Sequence, residues 1–177
     1  GVGRGGMNWE AVYAKRMGRV QPSPIMDLIR VMGTRQVINF ASGLPDPAGF
    51  PLAQLREISA GVLADDWKGG LRYGEAEGYR PLREWVAADL TDRGRPTRAE
   101  QVLITNGSQQ GIDLLARALL DPGDVVVAEQ PSYLAALQVF DACEATVRAV
   151  RMDEDGVDVD AAAKALAAPR VKLLYVM

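Results

Sequence analysis

Apolar residues recur at helical spacing through the first half of the chain and gather into short runs in the second. Asn8 to Met17 reads as a short helix with Trp9 and Tyr13 four residues apart. Ser23 caps a second helix, with Pro24 at its first position and Ile25, Leu28, Ile29 and Met32 on one face; Gly33 ends it. Ile38–Phe40 is a short apolar segment. It leads into Ser42-Gly43-Leu44-Pro45-Asp46-Pro47, where two prolines and a glycine make an irregular loop. Leu52 to Asp66 predicts a helix, Lys68 to Gly78 a glycine-rich loop around Arg72 and Tyr73, and Pro81 to Arg93 an amphipathic helix with Leu82, Trp85, Val86 and Leu90 inward.

From Val102 onward the pattern changes to strands alternating with helices. Val102–Thr105 predicts a strand, followed by Asn106-Gly107-Ser108-Gln109-Gln110 and a helix to about Leu120. A turn at Asp121–Asp124 precedes a strand at Val125–Glu129. Pro131-Ser132-Tyr133 then opens a helix to about Ala142. Thr146–Val150 is a strand, Asp153–Gly156 a turn, Val159–Ala168 a helix and Val171–Met177 another strand. This alternation predicts an α/β fold with a doubly wound parallel sheet, preceded by a helical amino-terminal arm. In such sheets ligands bind beyond the carboxyl ends of the strands.

The composition narrows the chemistry. The 177 residues are 48% hydrophobic and 24% charged, which suits a folded domain rather than a disordered one. A net charge of −3 does not favour a phosphate-backbone-binding surface, so no nucleic-acid partner is expected. There is no histidine, which excludes Ser-His-Asp and Cys-His catalysis and His-ligated metals. The single cysteine, Cys143, builds neither an internal disulfide nor a zinc cluster, and a reducing, cytoplasmic setting is the simplest. No apolar run approaches the roughly 18 residues of a membrane span, and no membrane partner is expected. Arg4, Lys15, Arg16, Arg19 and Arg30 punctuate the start without a signal-peptide core. Gly1, Gly3 and Gly6 satisfy G-x-G-x-x-G by spacing, but no strand precedes them, so they carry no dinucleotide reading.

Several residues carry candidate chemistry. Asn106–Gln110 lies between a strand and a helix, where N–H groups and the helix dipole favour an anion. Gly107 permits close backbone approach and Ser108 adds a hydroxyl; the competing reading is an ordinary cap, with Ser108 capping its own helix. The segment lacks a Walker lysine, which disfavours a nucleoside triphosphate. Tyr133, at a strand end, either stacks on a flat ligand or packs against the sheet. Tyr73, in a glycine-rich loop, is a ligand contact or an interface aromatic. Arg19 is a carboxylate clamp or a solvated arginine between helices. Asp153, Asp155 and Asp158 miss calcium-loop spacing and read as a solvated turn. None of Lys15, Lys68, Lys164 and Lys172 has the setting of a buried Schiff-base amine.

Four motifs occur in order: Ser42-Gly43-Leu44-Pro45-Asp46-Pro47; Arg72-Tyr73-Gly74 with Glu77-Gly78 and Leu82-Arg83; Thr105-Asn106-Gly107-Ser108-Gln109-Gln110; and Glu129-Gln130-Pro131-Ser132-Tyr133. Together they closely resemble the amino-terminal part of fold-type I pyridoxal-phosphate (PLP) aminotransferases, nearest the 2-aminoadipate and aromatic aminotransferase group. The resemblance runs from about Trp9 to Met177. It implies an amino-terminal helical arm over residues 1–37 and, over 38–177, the first part of the PLP-binding large domain, with an incomplete parallel sheet. It implies amino-group transfer between an amino acid and a 2-oxo acid in a homodimer. Gly107, Ser108 and Gln109 would hold the cofactor phosphate and Tyr133 would stack on the ring. Tyr73 would reach the phosphate of the neighbouring subunit, Gly43 would lie by the substrate carboxylate, and Arg19 would cover the substrate.

The family's P-x-x-Q-N-P-x-G segment, pyridinium-pairing aspartate, Schiff-base lysine and substrate-binding arginine are not among these 177 residues. No catalytic residue is therefore assigned, and the chain alone is expected to be inactive. The resemblance also implies that the strand at Val125–Glu129 pairs with the third strand and with Val171–Met177. Val102–Thr105 would stay unpaired and the last strand would keep an open edge, so a longer polypeptide or a second piece is expected to complete the sheet. Two alternatives stand beside the enzyme. One is the aminotransferase-like effector domain of a winged-helix (MocR-type) transcription regulator, against which residues 1–37 lack a winged-helix pattern. The other is a non-catalytic domain of the same fold.

Overall fold

A computed structural model of the chain describes residues 8, 11–19, 43, 45–65 and 67–177. The expected helix from Ser23, the segment Ile38–Phe40 and the arm boundary near residue 37 lie outside the described residues. The chain divides into two compact units, Ser23–Thr105 and Gly1–Pro22 with Asn106–Met177.

In the first unit, Asp46 starts a 3-10 turn at Pro47–Gly49 by accepting the Ala48 N–H at 2.9 Å. Helix α1 spans Leu52–Asp65 and α2 is a single turn, Trp67–Gly70, at the start of the expected loop. Helix α3, Arg80–Asp92, begins with Pro81 in its first turn, where the missing N–H costs nothing. Exposed i,i+4 pairs, Arg80–Glu84 at 2.8 Å and Arg93–Asp89 at 3.0 Å, line its outer side.

The inward face of α3 differs from the expected one. Leu82 and Trp85 are 42% and 66% exposed, whereas Arg83 and Ala87 are buried, with Val86 and Leu90 half-buried. The stripe 83-86-87-90 wins because Arg83 finds polar partners inside: its guanidinium donates to the Ala99 and Val102 carbonyls and to Glu75. Those carbonyls belong to or flank a 3-10 turn at Ala99–Gln101. Beyond it, Val102–Thr105 is extended but joins no ladder among the described residues; Ile104 N–H donates to the Glu77 carbonyl at 2.9 Å instead.

In the second unit, the described part of the expected Asn8–Met17 helix is not a continuous α-helix; a 3-10 helix runs over Lys15–Arg19. Every described residue there is exposed, so no burial supports so short a helix. Helix α4 spans Gly107–Leu119, strand β1 Val125–Gln130, helix α5 Leu134–Ala142 and strand β2 Thr146–Asp153. A two-residue strand β3, Gly156–Val157, turns back antiparallel on β2, a hairpin the sequence reading missed. Helix α6, Val159–Leu166, is capped by Asp158, and β4 spans Val171–Tyr175.

The sheet order is β3-β2-β1-β4, with β1 parallel to both β2 and β4. Alternation along β1 sends Val126 to one face, against Ala116, Leu120, Ala136 and Phe140 of α4, α5 and their junctions, and Val127 to the other, against Val150 and Ala162. Both valines are fully buried, each stabilising the fold by about 1.5–3 kcal/mol. Helices on both faces make this the doubly wound arrangement, and β1 reads as a continuous apolar run for that reason.

At the amino end of β1 the polar groups are closely matched. Asp124, 4% exposed, accepts the Asp121 N–H at 2.9 Å, and its other oxygen meets the Arg170 guanidinium at 3.3 Å. The backbone bond from Asp121, with Lys172 and Arg170 nearby, holds its carboxyl below the usual range against the opposing effect of burial.

Candidate functional site

The carboxyl end of β1 is where two helices start together. The Gln109 side-chain amide donates to the Ala135 carbonyl at 3.0 Å, tying the first turn of α4 to the first turn of α5. Gly107 opens α4 with φ +79°, a backbone shape L side chains rarely adopt, and an added Cβ there meets nothing within 4 Å. Asn106 is the N-cap, yet its side chain makes no capping bond; its own N–H is taken by the Gln110 side-chain oxygen. Ser108 therefore stands inside the helix and does not cap it. The first turn lies at the positive end of the dipole of a 13-residue helix.

Tyr133 is the N-cap residue of α5 and is 41% exposed, again with no side-chain capping bond. Tyr133 is therefore not sealed in the core, and it stands two residues before Ala135, whose carbonyl anchors Gln109. Beside it, the Ser132 hydroxyl oxygen is buried and has no hydrogen-bond partner. Glu129, at the end of β1, is 4% exposed and accepts the Met177 N–H at 2.6 Å. Tyr175 packs edge-on to Phe140, with ring centroids 5.7 Å apart. Burial first, then Tyr133 and Glu129, push its phenol up from the ordinary value. Sequence reasoning did not single out Ser132 or Glu129. The signal was their place in Glu129-Gln130-Pro131-Ser132-Tyr133, directly past a buried strand.

Gly107, Ser108 and Gln109 thus open α4 where the Gln109–Ala135 bond ties it to the start of α5, which Tyr133 precedes. Arg19 is not with them. Its Nε donates to Asp141 Oδ1 at 3.1 Å. Asp141 lies eight residues along α5 from Tyr133, about 12 Å down the helix axis toward the amino ends of the strands. In the other unit, Tyr73 is 104% exposed in the loop after α2, and Gly43 has φ +58° with open space where a Cβ would stand. Lys172 lies 3.8 Å from Asp124, at the amino end of the sheet, and no cluster of acidic or thiol ligands among the described residues could hold a metal ion. No described helix is long and apolar enough to cross a membrane.

Comparison with known proteins places this chain in a family. The chain is 36% identical over 171 residues to 2-aminoadipate transaminase of Thermus thermophilus, covering 97% of this chain and 42% of that one. It is 35% identical to aromatic-amino-acid aminotransferase 1 of Thermococcus litoralis, over 87% of this chain and 37% of that one. The crystal structure of Thermus thermophilus α-aminoadipate aminotransferase complexed with N-(5'-phosphopyridoxyl)-L-leucine superimposes with a TM-score of 0.83 over 97% of this chain and 41% of its own. Kynurenine aminotransferase of Pyrococcus horikoshii, in complex with PMP, gives 0.86 over 96% and 43%, at 33% identity. A helix-turn-helix-type transcriptional regulator of Escherichia coli is more distant, at 29% identity over 86% of this chain and 33% of its own. The chain thus spans about two fifths of the length of the enzymes it matches. Residues 35–177 match the family described as aminotransferase class I and II, and the chain belongs to that family.

Proposed function

We propose that this chain supplies the phosphate-binding and ring-stacking part of a PLP-dependent aminotransferase site. The observation that carries the reading is the start of α4, where Asn106 makes no side-chain cap, tied by the Gln109–Ala135 bond to the first turn of α5, which Tyr133 precedes, at the carboxyl end of β1. The residues fit the cofactor. Ser108 offers a hydroxyl and its backbone amide to a phosphate, Gly107 lets the anion approach the backbone, and Tyr133 offers a half-exposed aromatic side chain. The orphaned Ser132 hydroxyl adds a buried donor beside them. When bound, PLP supplies an electron sink for carbanion chemistry at the amino-acid Cα. The chain's own part is to hold the phosphate, orient the ring and shield one of its faces.

On this reading the substrates are an amino acid and a 2-oxo acid, and the working unit is a cytoplasmic homodimer of a biosynthetic or other amino-acid pathway. Tyr73 reaches the phosphate of the neighbouring subunit, and its full exposure supports that. Gly43 faces the substrate carboxylate, with an open Cβ position in its favour. Arg19 reaches substrate only by exchanging the Asp141 carboxylate for it. None of the chain's four lysines is assigned as the Schiff-base amine, so binding without turnover is expected of these 177 residues. The enzyme reading is preferred over the regulator because the transaminase relatives are the more similar.

Calorimetric titration of the chain with PLP and with inorganic phosphate tests this. Ser108→Ala is expected to weaken both by about tenfold, one charge-assisted hydrogen bond. Tyr133→Ala is expected to weaken PLP and leave inorganic phosphate unchanged. Unaltered affinity in Ser108→Ala would refute the assignment.

A further inference from the structure

We propose that Arg83 is a positioning residue which, through Glu75, fixes the loop that carries Tyr73. The inference rests on the reading that Tyr73 meets a phosphate, and deepens it. Arg83 is only 7% exposed, deep on the inner side of α3. Its Nε donates to the Val102 carbonyl at 3.0 Å and to the Ala99 carbonyl at 3.2 Å, and Nη2 donates to Ala99 at 3.0 Å. Nη1 reaches Glu75 Oε2 at 2.8 Å. All three guanidinium nitrogens are engaged, a fork that lysine cannot reproduce.

The two sides of this fork differ. The carbonyls are fixed parts of the turn at Ala99–Gln101 and its exit. Glu75, with its side chain 55% exposed, belongs to the loop and has water as an alternative partner. Two further ties hold the same end of the loop. Glu77 accepts the Ile104 N–H at 2.9 Å, and Gly78, at φ +102°, lies so close to Ile104 that a Cβ would stand 2.6 Å from the Ile104 Cβ. Gly78 N–H closes the turn onto the Glu75 carbonyl at 3.0 Å. The base of the loop is thus pinned at 75, 77 and 78, while its tip, Leu71 and Tyr73, is 71% and 104% exposed. A ring that packs against nothing is placed only by its backbone, and that backbone is set from the base. A purely structural Arg83, gluing α3 to the turn at 99–101, would need only the carbonyls and would be indifferent to Glu75.

Glu75→Ala keeps every bond Arg83 makes to carbonyls and removes the loop tie; Arg83→Lys removes the fork. Hydrogen exchange by mass spectrometry on the chain is expected to show amides 76–78 exchanging about fivefold faster in Glu75→Ala, with the thermal midpoint unchanged. Arg83→Lys is expected to show at least the same local effect. PLP affinity is expected to fall in Glu75→Ala as far as in Tyr73→Phe, the double variant losing no more than either. Glu75→Gln, which keeps one hydrogen bond, is expected to recover part of the loss. Unchanged exchange at 76–78 in Glu75→Ala overturns the proposal, and so do two affinity losses that multiply in the double variant. Wild-type affinity in Tyr73→Phe would instead remove Tyr73 from the phosphate site, and the exchange result alone would then decide on Arg83.

Discussion

Gly78 and Gly107 both sit at positive φ, +102° and +79°, but only one is crowded. An alanine at either position adopts a backbone shape that costs about 1–2 kcal/mol, of which some tenths are regained by stiffening the unfolded chain. At Gly107 nothing further is met within 4 Å, so Gly107→Ala is expected to cost about 1 kcal/mol. At Gly78 the new Cβ stands 2.6 Å from Ile104 Cβ and 2.8 Å from its Cγ1, and overpacking of that kind adds about 1–3 kcal/mol. Gly78→Ala is therefore expected to cost about 3 kcal/mol in all. Urea unfolding followed by far-ultraviolet circular dichroism measures both variants, comparing midpoints at a common slope. A control separates backbone approach from side-chain crowding. The nearest atom is the Ile104 Cβ, which alanine retains, so Ile104→Ala is not expected to rescue Gly78→Ala. Equal costs for the two glycine variants, or rescue by Ile104→Ala, would refute the reasoning and with it the close seating of the loop on Ile104.

Asp124 gives an acid-stability prediction. Its folded carboxyl lies below the ordinary range, so its stabilising effect is complete above that range and is lost as pH falls through the folded value. Thermal midpoints measured against pH are expected to drop steeply on the acid side, and Asp124→Asn is expected to be less stable at neutral pH and flatter in acid. Asn106→Asp places a negative charge at the start of α4, where the dipole should stabilise the fold by about 0.3–1 kcal/mol while phosphate affinity falls. Chemical denaturation and phosphate titration on the same variant read the two opposite signs.

The elements easiest to read from sequence were those whose burial is repetitive. The run at Val125–Ala128 is apolar because both faces of β1 are covered, and α1 and α3 start and stop within a residue of the expected ends. What escaped was set by distant partners. Arg83 looks like an outward charge until the Ala99 and Val102 carbonyls come within reach of it. Leu82 and Trp85 look inward until the arginine takes that side. Asp141, 122 positions from Arg19, is invisible as its partner. The strand–helix junctions at Asn106–Gln110 and Glu129–Tyr133 were legible as a candidate site, because turn chemistry and strand ends are local. The Gln109–Ala135 bond that joins them and the orphaned Ser132 hydroxyl were not, because both depend on how α4 and α5 meet.

The two ends of β1 spend their polar groups differently. At the amino end Asp124 is bonded to Asp121 and Arg170 and approached by Lys172. Val125 N–H donates to the Arg170 carbonyl, and Thr146 N–H to the Asp124 carbonyl. At the carboxyl end Asn106 does not cap α4, Tyr133 does not cap α5, Ser132 holds an unused hydroxyl and Gly107 keeps a conformation only glycine takes cheaply. A missing cap costs about 1 kcal/mol, and a buried unpaired hydroxyl about 1–3 kcal/mol. A sequence shaped for stability alone would close such gaps with single substitutions. Their concentration at one end, where helix dipoles converge and strands present their carboxyl termini, is what the proposed phosphate site requires, an anion there completing the bonds that Ser132 and the α4 cap leave unmade.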